Sequence, residues 1–186
     1  MRRNRESGFS MVATVASLLV TAVLVAIVLG ATLGSNHNGK TQLSTSPGVG
    51  AADNLVAQQT LNDVLTGTAS AADAAGGLGS LTPAELATTD ASVTFVAGPS
   101  TNVTTVSVAT SGAGAQSGVG GSVTLAVRAA DGTCWLAWKG GAGAAWFGAQ
   151  LDLASCSAPA LPVPPSASPV SSTTIGWEQG SFPTVP

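Results

Sequence analysis

The strongest constraint on this chain is a run of 21 residues, Phe9 to Leu29, without a charged side chain. A short basic and polar head (Arg2, Arg3, Arg5, Glu6, Ser7) precedes it and stops at Gly8. Wound as an α-helix at about 1.5 Å per residue, the run is roughly 31 Å long, the thickness of a bilayer's hydrocarbon core. Arginines on its N-terminal side alone keep that end in the cytoplasm and send the rest of the chain outward. A cleaved secretory signal has a shorter apolar region, roughly 7–15 residues. An ordinary single-pass anchor has the right length, but gives no reason for Glu6-Ser7-Gly8-Phe9-Ser10 at the border between charge and apolar run.

Beyond the run there is chain for about one small domain. From Phe9 onward there are three basic residues (Lys40, Arg128, Lys139) against eight acidic ones, a net charge of −5. That balance argues against a non-specific nucleic-acid binder, whose affinity comes from neutralising phosphates. The two cysteines, Cys134 and Cys156, fall on the exported side, where disulfides persist. The single histidine, His37, is far from them, so no zinc-ligand set forms.

Residues 31–50, rich in Gly, Ser, Asn and Thr, read as a linker. They contain a Walker A match (Gly34, Gly39, Lys40, Thr41), but a phosphate loop needs a buried strand before it and a helix after it. The match reads as chance. Residues 51–75 read as an amphipathic helix with Ala57, Leu61, Val64, Leu65, Thr68 and Ala72 on one face, weakened at Gly67. Thr82, Pro83 and Glu85 form a helix start with a capping box, and Leu81 and Leu86 are spaced as its hydrophobic staple. Strands follow at Ser92–Val96 and Asn102–Ala109, joined to the next by a glycine-rich connection at 111–121. Asn102-Val103-Thr104 is a formal glycosylation sequon and is read as chance.

Ser122 to Lys139 reads as a hairpin about Asp131-Gly132. A two-residue loop there sets Ala129 opposite Cys134, Val127 opposite Leu136 and Leu125 opposite Trp138, all on one inward face. The outward face then pairs Arg128 with Trp135, a cation–π contact of about 0.5–1 kcal/mol. Cys134 thus points into the core and Cys156 returns to it, a bridge worth roughly 3 kcal/mol. From Ser157 to Val170 the chain is Ala, Pro and Ser, an extended segment. Its end, Ile175 to Pro183, either folds back on the head or hangs free.

The segment Arg5-Glu6-Ser7-Gly8-Phe9-Ser10-Met11-Val12 resembles the N-terminus of type IV pilins and type II secretion pseudopilins. Gly132-Thr133-Cys134-Trp135, Trp146-Phe147-Gly148 and Cys156 are similar to the C-terminal region of certain Gram-positive pilin-like proteins. In these a disulfide closes the head. The resemblance implies cleavage between Gly8 and Phe9 by a membrane peptidase and methylation of the new N-terminal Phe9. It also implies other pilin subunits and the membrane as partners. Two features depart from the family. Ala13 stands where most pilins carry Glu, the residue that pairs with a neighbour's ammonium and sets the stagger. The linker at 31–50 interrupts what is usually one long helix.

No catalytic constellation appears, since the one histidine lies in a linker. Asp131 and Asp152 read as solvated acids rather than a pair. Trp135, Trp146 and Arg128 are left as an interaction patch. The expected fold is α+β. An N-terminal transmembrane helix precedes a pilin-like head, in which an amphipathic helix packs on a small antiparallel sheet closed by a disulfide. Its segments are a leader (1–8), the membrane helix (9–30), a linker (31–50), the head (51–156) and a Pro/Ser-rich tail (157–186). The expected function is that of a minor pilin or pseudopilin with no enzymatic activity, cofactor, metal, nucleotide or nucleic acid. It would sit in the cytoplasmic membrane with its head exported. The rival is a signal-anchored surface protein that binds a ligand and never polymerises.

Overall fold

The computed structural model describes residues 47–112, 121–141 and 143–185. Helix α1 (Pro47–Ala75) is followed by a 3₁₀ turn (Leu78–Ser80) and a short helix α2 (Pro83–Leu86). Six strands follow among the described residues: β1 (Thr94–Val96), β2 (Thr105–Ser111), β3 (Ser122–Arg128), β4 (Cys134–Gly140), β5 (Trp146–Gln150) and β6 (Gly176–Gln179). They form one sheet in sequence order. β1 runs parallel to β2, and every other neighbouring pair is antiparallel.

Helix α1 covers one face of the sheet. Ala57, Leu61, Val64, Thr68, Ala71 and Ala72 are buried at helical spacing. The aliphatic members pack with Val106, Val108, Val123, Leu125, Val127, Ala137 and Ala149 from β2 to β5. Gly67 sits mid-helix because Thr89 passes close by: a Cβ there would lie 3.0 Å from Thr89 Oγ1. At α2 the expected cap is present. Thr82 Oγ1 accepts from Glu85 N and a Glu85 carboxylate oxygen accepts from Thr82 N. Leu81 and Leu86 on either side of it are both buried.

The other face is equally dry. Ala126, Cys134, Leu136 and Trp138 are buried there beneath Cys156 and Trp177, with Leu153, Ala158, Leu161 and Ile175 packed around them. The cover is the C-terminal segment itself, which crosses the sheet as a strap and returns as β6. The strap has few backbone partners, and its prolines suit that position because they have no N–H to leave unsatisfied. Its polar groups are pinned instead by side chains of the sheet. Leu161 O accepts from Ser122 Oγ (2.6 Å) and Trp138 Nε1 (3.0 Å), and Ser107 Oγ accepts from Ala158 N (3.0 Å). Two tryptophan rings lie on glycines of this face. A Cβ on Gly140 would fall 2.7 Å from Trp138, and one on Gly148 would fall 2.8 Å from Trp177. Here glycine inside a strand makes room for a ring.

This architecture corrects the expected fold class. The sheet is not small and antiparallel but mixed, six-stranded and covered on both faces. The finding that overturns it is the pairing of Thr94–Val96 with β2 in parallel, together with the entry of residues 176–179 as the sixth strand. No helix among the described residues is long and apolar enough to cross a membrane. The segment 9–30 lies outside the described residues, as do residues 31–46 of the linker, whereas residues 47–50, expected as linker, form the first turn of α1.

The hairpin register is also corrected, by one residue. The loop is Ala130-Asp131-Gly132: Gly132 N donates to Ala129 O, Ala129 N donates to Thr133 O, and Arg128 pairs with Cys134. A two-residue type I′ loop needs positive φ at both central residues, and only Gly132 (φ 92°) has it. Asp131 instead uses Oδ1 to accept from Thr133 N at 2.9 Å. Because side chains alternate along a strand, the slip sends every one of them to the other face. Cys134, Leu136 and Trp138 lie under the strap, not under α1, and Trp135 lies under α1.

Candidate interaction surface

The disulfide Cys134–Cys156 is formed, with Cα atoms 5.3 Å apart and both residues fully buried. It ties the start of β4 to the root of the strap. Next to it, Ser100 N donates to Cys156 O (2.7 Å) and Ser100 Oγ accepts from Arg128 N (2.9 Å). Three distant segments therefore meet at one end of the sheet, where sequence reading marked only the two cysteines.

The three residues expected to make an interaction patch are not brought together. Trp135 is 2% exposed on the α1 face. Arg128 lies on the strap face, half-buried, with a guanidinium N–H donating to Ala154 O at 3.0 Å. Its place opposite Trp135 is lost with the register, and the cation–π pair with it. Trp146 is half-buried and belongs to the strap face at the far end of the sheet, opposite Trp138. Trp138 and Trp177 are buried too. Gly8 and Phe9 lie outside the described residues.

Asp131 and Asp152 do not pair either. Asp131 Oδ2 accepts from Asn54 Nδ2 at 2.7 Å, and Asn54 Oδ1 in turn accepts from Trp135 Nε1 at 2.7 Å. One amide on the second turn of α1 thus bridges the hairpin loop and the indole of β4. The spacing of Asn54 from these partners, 77 and 81 residues, leaves no local signal of it in the sequence. Asp152 is exposed, in a left-handed turn with φ 49°.

What remains accessible is low in charge. Among the described residues the basic side chains are Arg128 and Lys139, and Lys139 donates to Gly143 O at 2.6 Å. A shallow groove of about 420 Å³ runs beside the C-terminal end of α1, between Leu65, Ala69 and Leu78 on one side and Lys139 and Gly140 on the other. Leu55 and Val56 on α1 and Val163 on the strap are exposed large apolar side chains. Among the described residues no three His, Cys, Asp or Glu side chains are grouped to hold a metal ion. Among the described residues the surface presents hydroxyls, small apolar groups and a few acids. No protein-family model, no curated protein and no solved structure matches the chain.

Proposed function

We propose that the chain is a minor pilin or pseudopilin, a non-enzymatic structural subunit of a type IV pilus or type II secretion filament. The observation that carries this reading is the border at Gly8-Phe9. There a basic head of eight residues gives way at once to 21 uncharged ones, with a small residue at the position a peptidase must grip. On this reading prepilin peptidase cuts between Gly8 and Phe9, and Phe9 becomes the methylated N-terminus. The partners are that peptidase, other pilin or pseudopilin subunits and the membrane. The protein rests in the cytoplasmic membrane with its head exported, and reaches the cell surface only within a filament.

Two features of the head support it. The disulfide is sealed in the core, a device suited to an oxidising compartment. Trp135, Trp138 and Trp177, which an adhesive surface would display, are spent on packing, and this favours a subunit over an anchored ligand-binding protein. The test is the mature N-terminus. Sequencing should give Phe9, and Gly8→Leu should leave a full-length precursor in the membrane. A mature chain that starts at Met1 or near Ser35, or unchanged processing in Gly8→Leu, would refute the proposal.

A further inference from the structure

The groove beside the C-terminal end of α1 has the size and lining of a small-ligand site. Its volume, about 420 Å³, lies within the range of ligand clefts. Leu65, Ala69, Ala72 and Leu78 give it an apolar lining. Thr68 lines it too, but its Oγ1 donates to Leu65 O at 2.7 Å and is engaged by its own helix. Two charged side chains complete the groove from opposite walls: Asp73 on the last turns of α1, and Lys139 at the end of β4.

The α1 wall is negative twice over. The carbonyl end of a helix carries roughly half a negative charge, which basic residues in the last turn offset. The last turn of α1 has none. Ala72 O is closed by Gly77 N at 2.8 Å, where Gly76 leaves the helix with φ 82°. The exposed carboxylate of Asp73 adds a full charge to that end. The β4 wall is positive. Half-buried Lys139 gives one N–H to Gly143 O at 2.6 Å, and an ammonium has further donors to give.

A lone cation between these walls meets Lys139, and a lone anion meets Asp73 and the helix end. An uncharged apolar molecule strips water from both charges and replaces it with nothing. A molecule with an ammonium at one end, a carboxylate at the other and an apolar middle suits every part of the lining. A free amino acid carries both charges on one carbon, whereas opposite walls call for the two ends of a short chain. We propose that this groove binds short zwitterionic peptides with an apolar side chain, the ammonium held by Asp73 and the end of α1, the carboxylate by Lys139. The site needs neither cleavage at Gly8 nor a partner subunit, so it stands or falls apart from the filament reading.

In the test, the full chain in detergent micelles is titrated with the unblocked tripeptide Ala-Leu-Ala while its backbone amide shifts are followed by NMR. Saturable shifts should appear at Gly76, Gly77, Leu78 and Gly141, which line the groove. Acetylating the peptide's N-terminus should weaken binding about tenfold, the scale of one hydrogen bond to a charged group, and amidating its C-terminus should do the same. Asp73→Asn should bind the free and acetylated peptides alike, and Lys139→Met the free and amidated ones, because each variant has already lost the partner in question. Ala69 is exposed on the α1 wall, so Ala69→Trp should fill the groove and abolish binding. Should that variant lose its cooperative melt, the comparison in Asp73→Asn decides alone. No saturable shift, equal affinity for the doubly blocked peptide or for free leucine, or full binding by a folded Ala69→Trp would each overturn the proposal.

Discussion

The amide of Asn54 is a single group on which two others depend. Its Oδ1 accepts from the buried Trp135 indole and its Nδ2 donates to Asp131 at the hairpin tip. Truncation to alanine strands a buried N–H, which costs about 1–3 kcal/mol. Asn54→Ala should therefore lower the head's thermal midpoint by several degrees. Asn54→Asp keeps the acceptor for Trp135 but sets two carboxylates against each other, so it should also destabilise. Adding Asp131→Asn restores a donor to the new carboxylate. The double variant should melt higher than Asn54→Asp alone, and additive losses would show that the bridge does not couple α1 to the hairpin. Thr124 is the reverse case, a buried hydroxyl with no hydrogen-bond partner among the described residues.

At the scale of elements, the strap and β6 are held by the disulfide, by hydrogen bonds with Ser107, Ser122 and Trp138, by the pairing of β6 with β5 and by ring contacts. Closing a loop of this length contributes roughly 3 kcal/mol in the chain-entropy picture. The paired replacement Cys134→Ala with Cys156→Ala should lower the denaturant midpoint by a corresponding amount. Since both sulfurs are fully buried, the wild-type bridge should resist mild reductant until the head unfolds. β6 has a separate weak point. Gly148→Ala places a methyl group 2.8–3.0 Å from ring atoms of Trp177, so the ring must lift and β6 with it. Limited proteolysis should then cut within residues 157–186 of this variant while α1 to β5 stay protected. A strap as resistant as the wild type would mean that Trp177 does not hold the edge.

Across the whole molecule, the sheet is stable because it is covered twice. Ending the chain at Cys156 would uncover Leu136 and Trp138, each worth about 1.5–3 kcal/mol when buried. Phe182 would go too; it packs on Phe147 and Trp135 with ring centroids 4.4 and 5.6 Å away. A domain has only about 5–15 kcal/mol in total, so the shortened chain should lose its cooperative melt and bind hydrophobic dyes. Assembly belongs to the same scale. On the filament reading proposed above, Ala13 would offer only van der Waals contact where a paired carboxylate would fix the stagger, and apolar packing in lipid specifies register weakly. Expressed as the sole pilin, the protein should build no long filaments. It should appear substoichiometrically beside a Glu-bearing partner, and Ala13→Glu should raise its incorporation. Long homopolymers seen by electron microscopy would overturn this expectation without touching the rest.

Local signals in the sequence were enough to determine α1 from residue 51 onward, where its apolar face recurs at helical spacing, though not its first turn from Pro47, and the capping box at Thr82 and Glu85, which depends on neighbours alone. They also determined that Ser122 to Lys139 turns back at Asp131-Gly132. Tertiary structure decided the register of that turn. Alternation fixes a register only when one face is wet, and here Val123, Leu125 and Val127 on one side and Ala126, Leu136 and Trp138 on the other are all buried. A slip of one residue therefore leaves an equally apolar pattern, and in the register adopted Asp131 keeps a negative φ while its Oδ1 accepts from Thr133 N. The parallel pairing of β1 and the strap were hidden for a related reason. A three-residue strand and a proline-rich segment carry almost no periodicity; β1 is placed by its pairing with β2 and the burial of Phe95 in the α1-side core, and the strap by the cover that the second face of the sheet requires. Asn54, Ser107 and Ser122 gain their roles from partners 39 to 81 residues away, so only the folded chain could assign them.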